Sequence, residues 1–499
     1  MVEILQSVIF GFQVALQPVN LIYCFFGVLI GTLVGVLPGL GPAAAIALLL
    51  PTTFKITPVS ATIMLAGIYY GAMYGGSTTS ILVNIPGEAA SVVTCLDGYQ
   101  MALKGRAGPA LGIAAFGSFI AGTFAVIALT FVGPLLSNVA LAFGPPEYFS
   151  MMIVGITVLT YLSSGSMIKA LIMAGVGLML SGVGMDTISG KYRFTFNIPS
   201  LLDGVGVVPV AMGLFGISEV LLNLETEINR DILATKVKNL FPTLKDWADS
   251  LWSIVRGSIL GFFLGIIPGG GAVVASFASY AIEKKASKHP EEFGKGAIQG
   301  VAGPESANNS AAGGSFIPLL TLGIPANPVM AILLGALMIH GLQPGPLLMQ
   351  NAPDLFWGTI VSMYIGNVML LVLNLPLIPM WVKVLKVPYY LLYPLILLFC
   401  LIGAYSLDNT IADVIIMLIF GILGFLMKKC RYDGAPLILA LVLGQKLETS
   451  LRRSLIMSQG DFSIFVTRPI SLGFLITAVL LLIVPVITQR KRLSTLEEG

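Results

Sequence analysis

Two stretches in different halves of the chain carry the groups that could do chemistry. GGSTTSILVNIPGE at 75–88 puts Gly76 and the hydroxyls of Ser77, Thr78, Thr79 and Ser80 ahead of Asn84, a Pro-Gly break and Glu88. PESANNSAAGGSFIPLLTLGIPAN at 304–327 puts Glu305, the amides of Asn308 and Asn309, the hydroxyls of Ser310 and Ser315, and Gly314 ahead of a second Ile-Pro break that ends at Asn327. Two shorter breaks accompany them: LPGLGP at 37–42, with Gly39 and Gly41, and IPGGG at 267–271, with Gly269 and Gly271. Proline removes a helix hydrogen bond and glycine frees the backbone, so each break opens amides on one side and carbonyls on the other. Helix amino ends attract anions, and freed carbonyls can hold a cation.

That chemistry divides the candidates into two sets. Gly76, Ser77, Thr78, Thr79, Ser80, Asn308, Asn309, Ser310, Gly314 and Ser315 are expected to meet an anionic substrate. Gly39, Gly41, Asn84, Glu88, Gly269, Gly271, Glu305 and Asn327 are expected to form a cation site, with Na+ as the metal ion or a proton in its place. Carboxylates inside apolar segments are costly and default to functional roles, which singles out Glu88 and Glu305.

The elements around them are those of a membrane. Of 499 residues, 56% are hydrophobic and 10% charged, against roughly 25% charged in a soluble domain. Apolar runs such as 107–133, 352–379, 409–427 and 468–488 are long enough to span a hydrocarbon core about 30 Å thick. The first residues, MVEILQSVIFGFQVALQP, have no basic n-region and no small-residue cleavage site, and are not expected to be a removable signal peptide. A net charge of +3 is no nucleic-acid footprint. Cys24, Cys95, Cys400 and Cys430 lack pair spacing, His289 and His340 stand alone, and GxSxG, HExxH and phosphate-loop patterns are missing. No enzyme and no cofactor are expected.

The chain is also written twice. GTLVGVLPGLGPA at 31–43 matches GFFLGIIPGGGAV at 261–273, and GGSTTSILVNIPGEA at 75–89 matches GGSFIPLLTLGIPAN at 313–327 with one gap. Three weaker matches follow in the same order, which points to duplication. The resulting plan is a first transmembrane repeat at 1–222, a cytoplasmic linker at 223–250 with an amphipathic helix over 228–239, a second repeat at 251–460, and an extra span with a tail at 461–499. If the PGLGP and PGGG segments are re-entrant, about 11–12 spans place most Lys and Arg on one face, the cytoplasmic one by the positive-inside rule. Corresponding loops of the halves differ in charge, as inverted halves would; Lys191, Arg193, Arg452 and Arg453 fall on the other face. The expected fold is an all-α polytopic membrane protein of two inverted repeats with broken or re-entrant helices, the pattern of secondary transporters.

GVLPGLGPAAAIALLLPTTF (35–54), GIYYGAMYGGSTTSILVNIPGEAASVVTCLDGYQMALKGRAGPALG (67–112), PGGGAVVASFASYAIEKKASK and GKGAIQGVAGPESANNSAAGGSFIPLLTLGIP closely resemble the large membrane subunit of tripartite tricarboxylate transporters, the TctA-type family. The resemblance covers nearly the whole chain. It implies a multi-pass subunit of the bacterial inner membrane that imports citrate or another small organic carboxylate with a coupled cation. It also implies two partners, a small membrane subunit and a periplasmic solute-binding protein. Its blocks fall on Pro38 to Pro42, Tyr70 to Glu88 and Gly303 to Pro325. From the residues alone, a stand-alone carboxylate symporter fits nearly as well, and an intramembrane enzyme fits less well.

Overall fold

The structure, a computed structural model, describes residues 2–37, 41–162, 166–225, 239–267, 271–384 and 389–482. Apart from a two-stranded β-hairpin pairing Gly184–Met185 with Tyr192–Arg193, its regular elements are helices. Among the described residues, six are long and apolar enough to cross a membrane. The longest, Ala107–Ala140, has 34 residues, about 51 Å at 1.5 Å per residue. Ile120, Phe124, Ile127, Phe131 and Leu135 form an exposed stripe along it, while Ala114, Ala121 and Ala125 are buried on another side. An apolar stripe left outside the packed core is what lipid contact requires. The chain is an all-α polytopic membrane protein.

Two helix pairs dominate the packing, one in each half. Helix Pro18–Val36 runs alongside Pro58–Val83, and Leu244–Ile266 runs alongside Gln299–Gly314. Both seams are glycine ladders. A Cβ on Gly27, Gly31 or Gly35 would lie 2.4, 2.5 or 2.2 Å from the carbonyl oxygens of Met64, Ile68 and Ala72. A Cβ on Gly257, Gly261 or Gly265 would lie 2.4, 2.1 or 2.3 Å from those of Gly303, Ala307 and Ala311. Residue numbers rise together along each seam, so each pair is parallel. Small residues let the backbones approach this closely.

After each ladder the chain breaks and turns back, into Pro42–Leu49 in the first half and Gly271–Ala286 in the second. These are two helical hairpins. Helix Pro58–Val83 and its counterpart, Gln299–Gly314 continued by Phe316–Leu322, then cross in opposite directions. The Tyr69 and Phe316 rings lie 6.3 Å apart, Ser77 Oγ donates to Glu305 Oε2 at 2.5 Å, and Gly98 packs between Ile81 and Val301. As numbers rise on one helix they fall on the other. Equivalent helices that run antiparallel make the repeats inverted, so the first arms of the two hairpins, each parallel to its own core helix, run in from opposite faces.

The second break has the same form in both halves. Asn84 (φ 58°) ends Pro58–Val83 and Gly323 (φ 69°) ends Phe316–Leu322, each in the left-handed conformation that stops a helix. Four residues on, Glu88 and Asn327 each cap the next helical turn: Glu88 Oε2 accepts from Ala90 N at 2.6 Å and Asn327 Oδ1 from Met330 N at 3.0 Å. Pro328–Ile339, only 12 residues, is therefore a half-helix launched from the break rather than a full span.

The two faces differ in charge. At the amino end of Ala107–Ala140, Arg106 pairs with Asp246, and Lys104 Nζ donates to the Lys295 carbonyl at 2.5 Å. Helix Leu244–Ile266 begins there with a Thr243–Asp246 capping box, inside the expected linker. The amphipathic helix expected over 228–239 lies outside the described residues except for Asn239.

At the opposite face the β-hairpin is fixed by Asp186, whose two oxygens each accept from Arg452 at 2.8 Å. That guanidinium, with the Ser189 hydroxyl and the Ile188 N–H, holds the Asp186 carboxyl well below the usual carboxylate range. A depressed folded value means the contribution is complete above the unfolded value of about 3.9 and is lost as pH falls through the folded one. Amide exchange at 184–193, corrected for its intrinsic pH dependence, is therefore expected to stay flat from about pH 7 to about pH 5 and to rise only in stronger acid. Asp186→Asn should speed that exchange throughout this window; equal protection in the variant would remove the pair from the account.

Candidate functional site

The antiparallel crossing brings the two polar stretches together. Glu305 is fully buried and both its oxygens are occupied: Oε2 accepts from Ser77 Oγ at 2.5 Å and Asn308 Nδ2 at 3.3 Å, while Oε1 accepts from Thr94. Asn309 Nδ2 donates to Asn308 Oδ1 at 2.6 Å, to Ser118 Oγ at 2.8 Å and to the Glu305 carbonyl at 3.0 Å. The cluster thus joins four helices: Pro58–Val83, Val92–Leu103, Ala107–Ala140 and Gln299–Gly314.

Glu88 differs from Glu305 in one respect. Its Oε2 serves the cap, but its Oε1 is buried with no hydrogen-bond partner among the described residues. Gly76 makes room for it, since a Cβ there would meet Glu88 Cγ at 2.9 Å. Glu88 therefore caps a helix with one oxygen and offers the other, the arrangement a cation or proton needs. Among the described residues no three His, Cys, Asp or Glu side chains converge as metal ligands. A cation held here would take mainly hydroxyl and carbonyl oxygens, the ligand type that suits hard ions.

The other candidates occupy distinct positions. Thr79 Oγ1 donates to Val36 O at 2.6 Å and Ser80 Oγ to Ser91 O at 3.0 Å, tying the core helix to the hairpin end and to the Glu88 cap. Ser310 Oγ donates to Ser258 O at 2.6 Å and Ser315 Oγ to Ala312 O at 2.7 Å, leaving these hydroxyls free only as acceptors. Asn327 Nδ2 donates to Tyr69 OH at 3.1 Å, and a Cβ on Gly271 would come within 3.9 Å of the Asn327 Cβ, which sets the second hairpin's return arm beside the second break. Gly314 packs on the Phe262 carbonyl. Gly41 precedes Pro42–Leu49 with open space around it, and Asn84 is exposed, away from Glu305. Gly39 and Gly269 lie outside the described residues.

Two small cavities flank the cluster. One, of about 10 Å³, is lined by Tyr74, Ser77, Thr78 and Ser118; the other, of about 20 Å³, by Tyr70, Asn309 and Asn367. Each holds about one water by that measure. Thr94, Ser118, Tyr69 and Asn367 escaped the sequence reading, because single polar residues in apolar helices carry no spacing signal.

This arrangement can be set beside known proteins. The sequence pattern of the tripartite tricarboxylate transporter TctA family matches residues 21–439, and so takes in both hairpins, both core helices and both breaks. The chain belongs to the TctA family. Two similar proteins come from Agrobacterium vitis. An uncharacterized 52.8 kDa protein in the TAR-I ttuC' 3' region is 52% identical over 501 residues, covering 100% of each chain. An uncharacterized protein in the TAR-II ttuC' 3' region is 53% identical over 234 residues, covering 46% of this chain and 97% of that protein. No solved structure matches. As a TctA family member, the chain is a membrane component of a transport system.

Proposed function

We propose that this chain imports a small organic carboxylate, a tri- or dicarboxylate such as citrate, coupled to Na+, as the large subunit of a three-component system of the bacterial inner membrane. The observation that carries this reading is the antiparallel crossing at Ser77–Glu305, with a broken helix from each repeat beside it and an unpartnered Glu88 oxygen in reach. Inverted repeats with broken helices place substrate and coupling ions at the repeat interface. None of the side chains that bond in the cluster is Lys or Arg, so anion charge must be balanced by helix dipoles and a bound cation. That favours Na+ over a proton. The small membrane subunit and the periplasmic binding protein follow from the family, as a supply of captured substrate.

Uptake of labelled citrate into membrane vesicles tests this reading. With both partner subunits present, uptake is expected; with either left out it should fall at least about tenfold, the scale of a lost binding step. Full-rate uptake by the single chain would overturn the three-component assignment. Thr78→Ala with Asn308→Ala should abolish uptake at unchanged membrane level, and undiminished uptake would remove both residues from the substrate site.

A further inference from the structure

A third cavity, of about 590 Å³, opens at the far end of Ala107–Ala140 from Arg106, on the face away from Lys104 and Lys295. By charge asymmetry this is the outward face. Tyr148, Gln343, Asn351, Lys446 and Arg453 are among the residues lining it, and no acidic residue among the described residues does so. Neighbouring acids are already engaged. Glu147 accepts from Arg468 at 2.5 Å and from Gly144 N at 2.8 Å; Glu448 accepts from Arg193 at 2.7 and 3.0 Å and from Arg452 at 3.3 Å. Lys446 and Arg453 have no acidic partner among the described residues. They stand seven positions apart on Ala435–Met457 and so share one face of that helix.

The deeper of the two reaches the second break. Lys446 Nζ stacks over the Tyr148 ring at 5.3 Å and lies 3.4 Å from where a Cβ on Gly323 would be. Gly345 N, in the loop that also lines the cavity, donates to Leu320 O at 3.3 Å. The end of the second core helix thus lies directly behind two lining residues, Gly345 and Lys446. A Lys that only neutralised that helix's carbonyl end would need no second unpaired cation about 10 Å further out along the same face. A low-dielectric cleft with two uncompensated cations gathers anions.

We propose that this cavity is an anion vestibule, in which Arg453 and then Lys446 receive a small di- or tricarboxylate on its way to the Gly323–Asn327 break. Only the carboxylate class rests on the proposed function; the anion selectivity rests on the two charges.

The test uses Asn351→Cys in a chain carrying Cys430→Ser, in outward-facing vesicles, with labelling of the same chain lacking Asn351→Cys subtracted. A sulfonate-bearing methanethiosulfonate should react faster than its trimethylammonium counterpart, and Lys446→Gln with Arg453→Gln should lower that rate ratio about tenfold or more. Lys446→Arg, which keeps the charge, should keep the ratio and controls for folding. A ratio unmoved by removing both charges would overturn the proposal. Citrate should slow labelling of the parent and not of the double Gln variant. An intact ratio with no protection by citrate or succinate would overturn the vestibule as a carboxylate site, whatever the uptake measurement returns.

Discussion

Glu305→Leu should leave the chain poorly recoverable from membranes, and Glu305→Gln should leave it inserted but transporting at less than about a tenth of the parent rate. The Glu305 carboxylate accepts from Ser77, Thr94 and Asn308 in a fully buried position. Leucine removes the acceptor of all three donors; Ser77 can turn to the Met73 carbonyl at 3.3 Å, while Thr94 and Asn308 lose theirs at about 1–3 kcal/mol each, a large share of the stability of a whole domain. Glutamine is milder because its oxygen still accepts, but its amide turns two donors towards groups that themselves donate. A double-mutant cycle separates the two roles: Ser77→Ala added to Glu305→Gln should cost less than the sum of the single changes, since one conflict disappears. Measured strict additivity, together with parent-like uptake by Glu305→Gln, would show that the crossing does not depend on this carboxylate.

The second large effect is expected at the glycine ladders. Gly261→Ala sets a methyl carbon 2.1 Å from the Ala307 carbonyl oxygen, a backbone atom that cannot swing aside, so the second hairpin must shift on its core helix. Overpacking of this kind costs about 1–3 kcal/mol, and here it also displaces the break at 267–271 that the hairpin carries. Gly31→Ala, 2.5 Å from the Ile68 carbonyl, is its mirror in the first repeat. Both variants should melt several degrees lower in detergent and lose uptake. Gly175→Ala, where a Cβ meets nothing within 4 Å, should change neither. If Gly261→Ala behaved like Gly175→Ala, the close parallel packing would be wrong.

Much of this design is legible in the sequence. The duplicated glycine and Pro-Gly patterns give the repeats, and Glu88 and Asn327 are equivalent caps because both come two residues after an Ile-Pro pair. Glu305 draws attention as a carboxylate in apolar surroundings. The facing of each polar group is not legible in the same way. Thr79, Ser80, Ser310 and Ser315 look like ligands in a row, yet their protons go to backbone carbonyls, because a hydroxyl in a buried helix takes the nearest acceptor. Thr94 and Ser118 read as ordinary residues of apolar helices, and become partners of the cluster only when those helices pack against the crossing. Lys446 sits in a helix remote in sequence from Gly323, and only the fold brings its Nζ within 3.4 Å of where a Gly323 Cβ would be.

Glu88 carries the sharpest consequence. Its spare oxygen has no partner to satisfy it among the described residues, while its cap role needs only the other oxygen. Glu88→Gln keeps an acceptor for Ala90 N, keeps the volume against Gly76, and removes the charge that would hold a coupling cation. The decisive measurement is the initial rate of labelled citrate uptake as a function of Na+ concentration at fixed pH, with all three subunits in the vesicles. The parent should show a rate that rises with Na+ and saturates, and Glu88→Gln, at equal membrane level, should show a rate lower by about tenfold or more with no Na+ dependence. Superimposable Na+ curves for the two would contradict the account.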